Sequence, residues 1–142
     1  MSPTSACLDT SALIALLNPA ENAHSKVLRE FQKYKSTGMV FITDVVFAEA
    51  SAGMNTAAEL RLALDELGIA DLRANDEALF SAGQVYKDYR RSKGDGKKDG
   101  VLPDFMIGAV AKANGIAMIT LNDRDFVNKF DGLEVINPLK NQ

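Results

Sequence analysis

Six side chains in this sequence are placed where they could jointly handle a hard divalent cation: Asp9, Glu49, Asp104, Asn122, Asp123 and Asp125. All are oxygen donors, and the chain offers little else. The one histidine, His24, falls in a stretch that reads as a helix surface, and a single cysteine, Cys7, excludes an internal disulfide and a cysteine-rich zinc site. Without a second histidine, Ser-His-Asp chemistry loses most of its support. Carboxylates with no soft ligand beside them suit Mg2+ or Mn2+. A cluster of three or four repels itself strongly unless it is occupied. One or two bound ions would lower the pKa of a water and stabilise the attacking and leaving oxygens of a phosphodiester. That is nuclease or phosphatase chemistry without a histidine base.

Each acid also has a plain structural reading. Asp9 and Asp104 can cap helices, and Asp123 and Asp125 can sit in the first turn of a helix as partners of its dipole. Glu49 resists that reading. Its neighbours Val45, Val46, Phe47, Ala48 and Ala50 predict an apolar setting, where an unpaired carboxylate is costly. No lysine or arginine lies within several residues of Asp9, Glu49 or Asp104. A cation is the simplest partner.

The elements that must position these acids follow from apolar periodicity. Residues 6–9 read as a short strand, 11–17 as an apolar helical turn or two, and 21–35 as an amphipathic helix. Residues 39–42 form a second strand, after which Thr43 or Asp44 caps the helix carrying Glu49. Thr56 and Glu59 have capping-box spacing for a helix over 56–67 that stops at Gly68, and 69–72 is a weak strand. Asn75 or Asp76 starts a helix ending in Arg90-Arg91. Residues 103–114 are apolar on nearly every side and predict a buried helix opened by Asp104 and stopped by Gly115. A strand at 116–120, a short helix over 121–130 and a closing strand at 133–136 complete the chain. Short apolar strands alternating with helices predict a mostly parallel sheet covered on both faces. Ligands of such sheets bind beyond the carboxyl ends of the strands, and every candidate acid falls there or in the first turns of the helices leaving them.

At 142 residues the chain is expected to form one domain spanning residues 1–142. No run approaches the ~18 apolar residues of a membrane span, and the N-terminus lacks the basic and apolar regions of a signal peptide, so a cytoplasmic location with no membrane contact is expected. A net charge of −3 counts against broad polyanion binding unless positive charge is localised or metal offsets the acids. Arg90, Arg91, Lys93, Lys97 and Lys98 form the one dense basic segment. It reads either as a solvated helix end and loop or as a rim that grips phosphates.

Four segments carry a resemblance: L-D-T-S-A-L-I-A at residues 8–15, T-D-V-V-F-A-E-A at 43–50, L-P-D-F-M-I-G-A-V-A at 102–111 and I-T-L-N-D-R-D-F at 119–126. In this order and spacing the chain resembles the PIN-domain ribonucleases, specifically the VapC-type toxins of bacterial and archaeal toxin–antitoxin pairs. Each segment is weak alone, but four in order are specific, and they cover almost the whole chain. The resemblance implies an α/β/α sandwich around a mostly parallel sheet and an endoribonuclease dependent on Mg2+ or Mn2+. It also implies an RNA substrate, a cognate antitoxin protein and a homodimer. Position by position, Asp9, Glu49 and Asp104 match the three best-defined acids. Asn122 stands at the fourth, with Asp123 and Asp125 close behind. Ser11 and Thr120 match small hydroxyl residues that help hold the metal or its waters. Gly108, where relatives often have Ala, and the lysine-rich insertion before Leu102 depart from the pattern.

Three other readings compete. A phospho-aspartyl transferase would need a second Asp two residues after Asp9, where Ser11 stands. A non-catalytic binding module of the same fold would be expected to have eroded acids, and these are intact. A nuclease with no toxin role, RNA-processing or DNA-directed, stays open.

Overall fold

The sheet grows outward from β1 (Ala6–Leu8), which pairs in parallel with β2 (Val40–Thr43) on one side and β4 (Ala117–Ile119) on the other. β3 (Ala70–Leu72) extends it beyond β2, and β5 (Val135–Ile136) extends it beyond β4. The order is β3-β2-β1-β4-β5, with every pairing parallel. The computed structural model describes residues 2–92 and 100–140, so Lys93, Lys97 and Lys98 of the basic segment lie outside the described residues. β1 and β4 consist only of apolar residues that are fully buried, as expected for central parallel strands covered on both faces. From β1 to β3 the chain moves one way across the sheet, and from β3 through β4 to β5 it moves the other. With right-handed crossovers this reversal sends the connecting helices to opposite faces. The result is the expected three-layer α/β/α sandwich.

The helices are α1 (Thr10–Leu17), α2 (His24–Thr37), α3 (Asp44–Ser51), α4 (Ala57–Leu67), α5 (Asp76–Arg91) and α6 (Leu102–Ala113). Side-chain capping sets several of their starts. Asp9, Thr43, Thr56 and Asn75 each accept from a backbone N–H in the first turn of the helix they precede. At α4 the expected box is present with a shifted return bond: Thr56 accepts from Glu59 N, while Glu59 accepts from Asn55 N rather than from Thr56. Gly68 ends α4 with a left-handed φ of 67°, and Gly115, at 65°, turns the chain from α6 into β4. α2 begins later than the periodicity predicts, because Asn18 accepts from Ala20 N and Glu21 N bonds Asn18 O, holding the preceding residues in turns. No helix among the described residues is long and apolar enough to cross a membrane.

One expected helix is almost absent. Over residues 121–130 only a 3-10 turn, Asp123–Asp125, forms. Local side-chain bonds compete with a helical ladder here: Thr120 Oγ1 accepts from Asn122 N, and Asn122 Nδ2 donates to Asp125. Asn128, with φ of 65°, then takes the chain out of helical geometry.

This irregular segment is fixed by its aromatic residues. Phe126 and Phe130 pack on α6 at Gly108, and Phe130 meets Phe105 edge-on at 6.3 Å between ring centroids. Tyr89 contacts Phe105 from the other side at 5.5 Å, which sets the end of α5 beside the start of α6. A Cβ on Gly108 would stand 2.6 Å from Phe130 Cε2 and 3.1 Å from Phe126 Cδ1. Phe126 is only 1% exposed and has little room to give. Gly108→Ala should therefore be net destabilising, because overpacking costs about 1–3 kcal/mol and better helix propensity returns about 1 kcal/mol. Urea denaturation tests this; an unchanged or raised midpoint would mean that the rings move aside freely.

Candidate functional site

The strand order reverses direction between β1 and β4, and Asp9 and Thr120 are the first residues beyond the carboxyl ends of those two strands. A crevice at such a reversal is where open parallel sheets bind ligands. Asp9 N donates to Ile119 O at 3.1 Å, so the pairing carries the backbone to the lip of the crevice. The Asp9 carboxylate accepts from Ala12 N at 2.9 Å and Ser11 Oγ at 2.7 Å through Oδ1, and from Thr120 Oγ1 at 2.5 Å through Oδ2. Both hydroxyls also accept, Ser11 from Leu121 N and Thr120 from Asn122 N. The loop after β4 is thus tied to Asp9 by two short relays. Asp9 is 4% exposed, and burial raises its carboxyl above the ordinary 3.8. The bonds from Thr120, Ala12 and Ser11 act against that rise, and the charge of Glu49 adds to it. The capping reading of Asp9 is correct, and it is compatible with a site.

Glu49 and Asp104 both differ from expectation. Glu49 is exposed, because α3 turns Val46 and Ala50 inward and leaves residues 48 and 49 outward. The cost of burying a carboxylate therefore does not apply to it. What marks it is its partner: Thr10 Oγ1 donates to Glu49 Oε1 at 2.5 Å, which brings the carboxylate to the start of α1 beside Asp9. Asp104 is not the cap of α6. The N-cap is Val101, which makes no side-chain capping bond, and Pro103 and Asp104 lie within the first turn. Since α6 leads through Gly115 directly into β4, it runs antiparallel to that strand. Its first turn, with the half-buried Asp104, accordingly lies toward the same carboxyl edge as Asp9.

Of the three candidates for the fourth position, two bond each other and the third is paired elsewhere. Asn122 Nδ2 donates to Asp125 Oδ2 at 3.0 Å. Asp123 accepts from Lys140 Nζ with both oxygens, at 3.1 and 3.0 Å. Among the described residues no group of three or more His, Cys, Asp or Glu side chains stands in the arrangement of a metal site. The pair that the fold visibly brings together is Asp9 and Glu49, close enough for the charge of one to act on the other. Arg90 lies along Tyr86 and donates to its hydroxyl at 3.2 Å, and Arg91 is exposed. Both end α5 near the start of α6, on the side of Asp104.

The PIN domain family model matches residues 6–130. The chain belongs to the PIN domain family. No curated protein sequence matches it. Among solved structures it is similar to VapBC-1 from nontypeable Haemophilus influenzae, with a TM-score of 0.72 at 18% identity, covering 96% of this chain and 99% of the other. It is also similar to DNA-bound VapBC from Salmonella typhimurium, with a TM-score of 0.68 at 23% identity, covering 97% and 99%. A third is VapC20 from Mycobacterium tuberculosis, a sarcin-ricin loop cleaving toxin, with a TM-score of 0.61 at 18% identity, covering 91% and 98%.

The donor set of this PIN domain fits a hard divalent cation. The groups in contact there are the carboxylates of Asp9 and Glu49 and the hydroxyls of Thr10, Ser11 and Thr120, and burial together with Asp9 pushes the Cys7 thiol up to about 12, so no thiolate competes. A nearby positive charge would also relieve Asp9, whose ionised form burial disfavours. Reading by motif missed two residues that touch the acids. Thr10 adjoins Asp9 and was within reach. Lys140 is delivered by a turn in which Asn137 accepts from Leu139 N and Lys140 N, a contact with no local sequence signal.

Asp9 also sets a pH dependence. Its folded-state pKa is raised, so the stability it contributes is fully present below about pH 4 and is lost as pH rises through the folded value. In chelator, thermal melts should show the wild type losing stability relative to Asp9→Asn as pH rises above about 4. Parallel curves for the two proteins would remove the burial account of this carboxylate.

Proposed function

We propose that this PIN domain is a metal-dependent endoribonuclease that hydrolyses RNA phosphodiester bonds and acts as the toxin of a type II toxin–antitoxin pair. The observation that carries the reading is Asp9: a carboxylate buried at the reversal point of the sheet, held by three donors, with Glu49 drawn up beside it. Asp9, Glu49, Asp104 and Asn122 would hold Mg2+ or Mn2+. Such an ion supplies an activated water and charge stabilisation of the phosphodiester oxygens. Ser11 and Thr120 fix both oxygens of Asp9, and Asp125 orients Asn122. Asp123 would join the site once released from Lys140, with which it forms an ion pair. Arg90 and Arg91, together with Lys97 and Lys98, would grip RNA phosphates.

A VapC neighbour that cleaves the sarcin-ricin loop supports RNA as the substrate, and the VapBC neighbours support an antitoxin protein as the partner. A homodimer acting in the cytoplasm completes the proposal.

Asp104→Asn keeps the side-chain shape and removes the charge a metal needs. Purified variant and wild type, compared on a structured RNA with Mn2+, should both show a folded circular dichroism spectrum. The variant should lose cleavage by orders of magnitude, as expected when several kcal/mol of charge stabilisation are removed. Chelator should abolish wild-type cleavage and Mn2+ should restore it. Equal rates for wild type and variant, or full activity in chelator, would refute the metal mechanism. Separately, replacing Lys97 and Lys98 with Ala should weaken RNA binding and flatten its dependence on salt. An unchanged salt slope would assign that segment to solvated surface.

A further inference from the structure

Thr10 bonds Glu49, yet neither the motifs nor the chemistry above gives it a task. It opens α1 directly after Asp9, is half-buried, and donates to Glu49 Oε1 across 39 residues of sequence. Glu49 has a physical need for such a partner. It is exposed, turns on three side-chain bonds and faces the like charge of Asp9. Left alone, a carboxylate in that position gains rotamer freedom and relief from repulsion by swinging into water. Threonine is suited to prevent this. Its branched Cβ is stiff at χ1, and its backbone is fixed at the first turn of a helix whose cap is Asp9 itself. A lysine there would hold Glu49 but also neutralise it, and so compete with a cation. A hydroxyl holds the carboxylate and leaves its charge in place.

We propose that Thr10 is a positioning residue whose hydroxyl keeps the Glu49 carboxylate beside Asp9, so that the pair is set for a divalent cation before one arrives. The inference rests on the metal-dependent reading proposed above. It assigns Thr10 no contact with RNA.

Mn2+ titration calorimetry on the full chain without RNA tests it. Thr10→Val keeps the branched shape and loses the donor, Thr10→Ser keeps the donor, and Thr10→Ala is a second donor-less variant should valine impair folding. Thermal melts in chelator verify each fold. Removing a group that orients a metal ligand weakens affinity by about 10- to 100-fold, and that loss is expected for valine and alanine, with serine close to wild type. In a Glu49→Gln background, Thr10→Val should add little further loss, since the two act as a unit. Wild-type affinity in the donor-less variants, or a full additional loss in the Glu49→Gln background, overturns the assignment of Thr10. If Mn2+ binding is lost in Asp9→Asn but retained in Thr10→Val, only the Thr10 proposal fails. If the wild type binds no Mn2+, the metal reading and this inference fall together.

Discussion

A carboxylate held at the joint between two parallel strands is the constraint around which this PIN domain is arranged. Asp9 must stay close to β4, because Thr120 bonds one of its oxygens, and close to α1, because Ala12 and Ser11 bond the other. Those bonds offset part of the cost of burying it, which its raised pKa records. They also fix the order of assembly in space. The loop after β4 cannot shift without disturbing Ser11 and Thr120, since both relay from its backbone to the carboxylate. One capping residue thereby joins the strand it ends, the helix it starts and the loop that carries Asn122, Asp123 and Asp125.

On the other side of the crevice, aromatic packing seats the elements. Gly108 lets Phe126 and Phe130 lie close against α6, and Phe105 bridges from there to Tyr89 on α5. The turn bearing the acids and the helix bearing Asp104 are therefore seated on one aromatic cluster. Glycine at position 108 leaves room for these two rings.

What could be read in the sequence was what local physics decides. The continuous apolar runs at β1 and β4, the stops at Gly68 and Gly115 and the hydroxyl caps all follow from near neighbours, and the four motif segments pointed to the fold. The readings that missed depended on facing, on distance or on local side-chain bonds that compete with a helix. Glu49 sits among apolar residues in sequence, but a helix turns, and its side chain points outward. Pro103 does stand at the entrance of α6 with Asp104 in the first turn, but the cap position falls to Val101, so Asp104 does not cap the helix. The segment after Thr120 has helical spacing, but the Thr120 hydroxyl takes the Asn122 backbone N–H and Asn122 bonds Asp125 instead. Lys140 reaches Asp123 only through the fold.

The placement of Cys7 has a practical consequence for following this protein in solution. It is the one cysteine in the chain, and it lies in the middle of the central strand with parallel neighbours on both sides. Its thiol is fully buried and strongly protonated, so a thiol reagent finds no nucleophile in the native molecule. Labelling requires the sheet to open at its centre rather than fray at an edge. The rate at which Cys7 reacts is thus a built-in clock for global opening, and any ligand that grips the crevice should slow it without touching the sulfur.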